Sequence, residues 1–151
     1  MNESDIFSNM NKSYKFVDHT ADIGVEISGS SLDELFIAGA EAWLVSVVGE
    51  LNIEDDDSME LELSAESKEE LLVTFLNELN YLLITKKWLC SYIQSIKIFD
   101  DADGCELSAE LKGIKLKDDL QLKQEIKSVT YHQLHIVEKD EMFSTLVVFD
   151  I

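Results

Sequence analysis

Arginine and proline are both missing from this 151-residue chain, and its twelve cationic side chains, all lysines, face 31 aspartates and glutamates. Arginine supplies the bidentate fork that grips phosphates and reads guanine edges. A net charge of −19 repels a polyanion, so tight direct binding of RNA or DNA is not expected. Cysteine is scarce: Cys90 and Cys105 have no CxxC spacing and sit in segments that read as strands, which favours buried thiols over a disulfide. No apolar run approaches the roughly 20 residues that a membrane helix needs. The polar start MNESDIFSNMNKSYK has no apolar signal core, so no membrane association and a cytoplasmic location are expected. A serine nucleophile elbow, a phosphate-binding glycine loop, a dinucleotide-binding glycine pattern and a Cys/His zinc spacing are absent as well. The remaining acidic surface suits a basic protein partner, a divalent cation or simple solubility.

What is present reads as one folded domain. Hydrophobic residues make up 46% of the chain in regular periodicity, and a chain of this length buries about two-thirds of its unfolded surface. Residues 1–13 lack periodicity and read as a flexible extension, with the domain spanning 14–151. Tyr14 to Val17 and Ile23 to Ser28 have strand character. Ser31 and Glu34 form an S-x-x-E capping box before a helix over about Leu32 to Val48, which Gly49 ends. MELELSA alternates strictly, predicting a strand with Met59, Leu61 and Leu63 facing a core. Ser67 and Glu70 cap a second helix through LLVTFLNELNYLLITKKW, with Lys86 and Lys87 placed to complement its C-terminal dipole. The rest is β-rich, four or more strands with polar turns such as DADG. Strands, two helices separated by a strand, then more strands specify an α+β domain, two amphipathic helices packed on a mainly antiparallel sheet.

The stretch FVDHTADIGVEI, Phe16 to Ile27, gathers Asp18, His19 and Asp22 at a bend between two strands. A hard cation such as Ca²⁺, Mg²⁺ or Mn²⁺ wants several oxygen donors, and such a bend could supply two. Asp18 or Thr20 bonding the turn backbone is the plainer alternative, as is a hydrogen-bonding His19 rather than one that moves protons. The other end of the sequence weighs in: TLVVFDI is an apolar strand that carries Asp150 and Ile151 at its tip. Carboxylates meeting there would repel one another unless a cation sat between them or one were protonated. On a strand, His132 and His135 would point to opposite faces, so they do not form a two-histidine site. DDADG, Asp100 to Gly104, lacks the register of a calcium loop and reads as a hairpin turn. No nucleophile or phosphate-gripping arginine accompanies the carboxylates, which disfavours a metal-dependent phosphoesterase.

Four separated blocks, DHTADIG (Asp18 to Gly24), LNELNYL (Leu76 to Leu82), EIKSVTYH (Glu125 to His132) and the terminal pair Asp150–Ile151, resemble the archease family in order and over nearly all of Tyr14 to Ile151. The resemblance implies a non-catalytic cofactor of an RtcB-type RNA ligase, one that promotes ligase guanylylation and multiple turnover in tRNA splicing and RNA repair. It also implies a divalent metal, Ca²⁺ first and Mn²⁺ or Mg²⁺ otherwise, held by Asp22, Asp150 and Ile151. The position of Asp18 accepts Glu among relatives, and many members carry an acidic residue where this chain has Asn77, so neither is assigned as a ligand. Lys127, Tyr131 and His132 are candidates for shaping or docking the tip, with a core-strand position the alternative for Tyr131. A binding or chaperone-like module with an acidic face and a structural metal is the other expectation.

Overall fold

The computed structural model describes residues 11–17, 21–50, 53–117, 121–131 and 134–151. The elements are β1 (Lys12–Val17), β2 (Asp22–Gly29), α1 (Leu32–Val48), β3 (Asp57–Ala65), α2 (Lys68–Ile84), β4 (Trp88–Asp101), β5 (Gly104–Lys115), β6 (Ser128–Thr130), β7 (Val137–Lys139) and β8 (Met142–Asp150). This is the expected α+β domain, and both helices form where the capping boxes put them. Ser31 Oγ accepts from the Glu34 amide (3.1 Å) and Ser67 Oγ from the Glu70 amide (3.1 Å). The glutamates reach one residue further back than a standard box: Glu34 accepts from the Ser30 amide (3.0 Å) and Glu70 from the Glu66 amide (3.2 Å). Gly49, at φ 73, stops α1 in a backbone region that only glycine enters easily.

The strands divide between two antiparallel sheets. One has five strands in the order β1-β2-β8-β6, with β7 also pairing β8; the other runs β3-β5-β4. α1 packs on β1, β2, β8 and β4, while α2 packs on β3, β4, β5 and β6. No residue of α1 is exposed, which is why its sequence is apolar nearly all round. Trp43, Phe36, Phe75 and Phe149 are fully buried in the shared core, and the Phe36 and Phe75 rings stack with centroids 5.8 Å apart. Each such side chain contributes roughly 1.5–3 kcal/mol through burial.

Three readings need correction. α2 ends at Ile84, capped by Thr85, so Lys86 and Lys87 lie beyond its last turn and do not serve its dipole. The EIKSVTYHQLHIVEKD stretch is not continuous strand: β6 holds only Ser128–Thr130, and pairing resumes at Val137. Its buried residues Ile126, Val129, Leu134 and Ile136 are spaced by three, five and two, which no single strand can place on one face. The premise that set His132 and His135 on opposite faces of one strand falls with it. Finally, Tyr131 is not a core-strand residue; it is 54% exposed, just past β6. β1 starts at Lys12, two residues ahead of Tyr14. The DADG turn closes the β4–β5 hairpin as read, pairing Asp101 with Gly104, and both cysteines are buried free thiols. Burial pushes the Cys90 thiol up to about 12 and the Cys105 thiol to about 11, so neither is a nucleophile at neutral pH.

Candidate metal centre at the end of the five-stranded sheet

β2 and β8 are central neighbours whose register runs without interruption from Gly29 opposite Phe143 to Asp22 opposite Asp150. Alternation then fixes the rest: Asp22, Glu26 and Ser28 share a face with Ser144, Leu146 and Asp150, while Val25, Ile27, Val147 and Phe149 turn into the core. Directly opposed residues on one face hold their Cβ atoms about 4.5–5.5 Å apart, so two aspartates separated by 128 positions meet at the sheet's end. Ala21, at φ 65, turns the chain left-handed immediately before β2. Ile151 is half-buried and packs against the core, one residue past Asp150.

The other flank of Asp150 is built from the segment around β6, which pairs Ser128 with Asp150 and whose Lys127 amide donates to the Asp150 carbonyl (2.8 Å). Such a short strand needs outside support, and α2 supplies it through two asparagines. Asn77 Nδ2 donates to the Val129 carbonyl (3.1 Å) while the Val129 amide donates to Asn77 Oδ1 (2.8 Å), the pairing a neighbouring strand would make. One turn on, buried Asn80 donates to the Ile126 carbonyl (2.7 Å) and accepts from the Trp43 indole N–H (3.0 Å). Sequence reasoning weighed Asn77 only as an unassigned position in a ligand block and passed over Asn80. Two asparagines three apart, beside the buried leucines of an amphipathic helix, were the available signal.

The expected site residues are thus partly assembled. Asp22 and Asp150 are opposed on one face, with Ile151 adjacent. Lys127 contributes its backbone amide to the tip, while its residue is exposed. Asp18, His19, Thr20 and His132 lie outside the described residues. His135 stands apart, its Nδ1 3.6 Å from a Glu69 carboxylate oxygen that also accepts the Ile136 amide. Among the described residues no group of three or more His, Cys, Asp or Glu side chains is gathered to hold a metal. A cation placed here would have two side-chain carboxylates to bind, with a main-chain oxygen of Ile151 as the adjacent candidate for a third donor. An all-oxygen donor set fits Ca²⁺, Mg²⁺ or Mn²⁺ and disfavours zinc.

An α+β domain with two helices sandwiched against antiparallel sheets, and opposed carboxylates where β2 and the last strand, β8, meet, is the class that these observations define. Residues 14–151 match the model of the archease protein family, and the chain belongs to that family. It is 33% identical over 138 residues to the protein archease of Archaeoglobus fulgidus, covering 91% of this chain and 98% of that one. To the protein archease of Methanothermobacter thermautotrophicus it is 29% identical over 140 residues, covering 93% and 99%. Two solved structures share the fold. One is the solution structure of a Methanobacterium thermoautotrophicum protein (TM-score 0.75, 27% identity, 91% and 98% coverage). The other is the crystal structure of a Thermotoga maritima archease, described as a possible chaperone (TM-score 0.59, 30% identity, 91% and 96% coverage). No described helix is long and apolar enough to cross a membrane.

Proposed function

We propose that this protein is a non-catalytic, cytoplasmic activator of an RtcB-type RNA ligase and that it works through a divalent cation, Ca²⁺ first and Mn²⁺ or Mg²⁺ otherwise, held at the tip by Asp22, Asp150 and Ile151. The observation that carries the reading is the β2–β8 register, which opposes Asp22 and Asp150 on one face at the sheet's end. Ligase guanylylation develops charge on a triphosphate, and a divalent ion neutralises such charge. In this chain the two aspartates bind, β6 and the Asn77–Asn80 pair hold the Asp150 strand end in place, and the exposed Lys127 and Tyr131 flank the docking approach.

The test is multiple-turnover joining of RNA 2′,3′-cyclic phosphate and 5′-hydroxyl ends by a purified RtcB-type ligase. Asp150→Ala, or a few residues appended after Ile151, abolishes stimulation while the thermal transition stays near that of the parent; full stimulation by the extended protein contradicts the reading. A second reading, an acidic chaperone-like module with a purely structural metal, is favoured by the carboxylate-rich outer face of the β3-β5-β4 sheet. Chelation separates the two: under the second reading it lowers the melting temperature but leaves stimulation intact in protein that remains folded.

A further inference from the structure

Among the described residues no helix covers the outer face of the three-stranded sheet, and its register sorts the side chains into rows. Ser64, Glu106 and Phe99 form one row across β3, β5 and β4, and Glu62, Ser108 and Lys97 form the next. Two contiguous depressions of about 680 and 430 Å³ lie here and share Ser64, Phe99 and Glu106. Six exposed carboxylates line them, Glu62, Glu66, Glu70, Asp101, Asp103 and Glu106, and no lysine is among the described lining residues. Glu66 comes from the turn before α2, Glu70 from its first turn, and Asp101 and Asp103 from the β4–β5 hairpin end, so four carboxylates crowd one end of the groove.

Phe99 separates this face from a merely solvated acidic surface. Phe99 is 53% exposed and places an apolar ring among the carboxylates of this face, directly opposite Glu106. The ring is already within reach of a cation: Lys97 Nζ lies 6.0 Å from its centroid, inside the range of cation–π attraction. Along β3 the outward carboxylates Glu60 and Glu62 recur at the strand repeat, about 6.6–6.8 Å for every second residue. An extended segment places the side chains of one of its own faces at the same interval.

We propose that this groove is a docking site for an extended, lysine- or arginine-bearing segment of a partner protein, with cationic side chains at alternate positions and one of them over Phe99. The site shares no residue with the Asp22–Asp150 tip and requires no metal there, so it stands or falls separately from the ligase reading.

The probe is a fluorescein-labelled decapeptide alternating Lys and Thr, titrated with the full chain by fluorescence anisotropy at about 150 mM salt, where charges more than about 8 Å apart are largely screened. Because a chain of net charge −19 attracts any polycation, the decisive comparison holds charge constant. Phe99→Ala changes no charge and weakens binding about fivefold. Glu62→Gln with Glu106→Gln weakens it at least about tenfold, whereas Glu54→Gln with Asp55→Asn, equal neutralisation on the exposed loop before β3, changes it less than twofold. Amide shifts on the unmodified protein move in β3, β5 and the β4–β5 turn. Equal weakening by the two neutralised pairs, an unaffected Phe99→Ala, or shifts spread over the whole acidic surface overturns the proposal.

Discussion

The two sheets use the same alternation to opposite ends. The three-stranded sheet is assembled from β3, β4 and β5, consecutive strands of one middle stretch interrupted by α2. Its outer face is charged, with carboxylates in successive rows. The five-stranded sheet joins β1 and β2 from the start of the chain to β6, β7 and β8 from its end. Its outer face carries Ser13, Ser28, Ser144 and Val137 in one row, and in the next Lys15 opposite Glu26 with Leu146 42% exposed beside them. Carboxylates stand directly opposite each other on the β2–β8 pair only at one end, where Asp22 meets Asp150. A local sheet can spread charge over a face, whereas bringing two specific aspartates together takes long-range pairing with a fixed register, because a one-residue slip would turn one of them into the core.

The supports differ accordingly, and that difference can be tested from the largest effect down. The tip side is held by polar bonds from α2. Asn80→Ala leaves the Trp43 indole N–H and the Ile126 carbonyl buried without partners, and chemical denaturation should show a loss of about 3 kcal/mol. Amide exchange should accelerate first at Lys127 and Val129, ahead of β3 and β5. The three-stranded sheet is held by close approach at Gly113, where an added Cβ would lie 2.3 Å from the Leu89 carbonyl and 2.7 Å from the Trp88 ring. Gly113→Ala should cost about 2 kcal/mol, with exchange accelerating in β4 and β5 while Lys127 and Val129 keep their protection. If both variants loosen both sheets equally, the two supports are not independent. The smallest change bears on the β2–β8 seam itself. Thr145 points its hydroxyl into the core, where Oγ1 finds no partner among the described residues. Thr145→Val should leave stability unchanged or raise it by up to about 1 kcal/mol without altering the exchange pattern of either sheet.

Much of this organisation was legible in the sequence. Both helices, their serine caps, the β3 alternation, the DADG hairpin and the buried thiols follow from local pattern, because capping and period-two burial act over a few residues. The tip was legible only in outline. Apolar TLVVFDI announced a core strand ending in Asp150, but nothing local says that Asp22 is its register partner; the family resemblance pointed there first. Asn77 and Asn80 were illegible as clamps because their partners lie 52 and 46 residues away and are backbone atoms, which carry no sequence signature. The stretch from Glu125 to Asp140 misled because its β-forming residues suggested one strand, whereas tertiary burial of Ile126, Val129, Leu134 and Ile136 bends it off the ladder.

The central claim is that the opposed aspartates, not the general acidity, bind the cation. Calorimetric titration of Ca²⁺ and Mn²⁺ into the parent, Asp22→Asn, Asp150→Asn and Glu106→Gln tests it most directly. Losing an outer partner of a metal already weakens binding about 10–100-fold, so each tip substitution should cost at least about tenfold in affinity while Glu106→Gln leaves it unchanged. Equal affinity in all four proteins, or a loss in Glu106→Gln matching that in Asp150→Asn, would contradict the account.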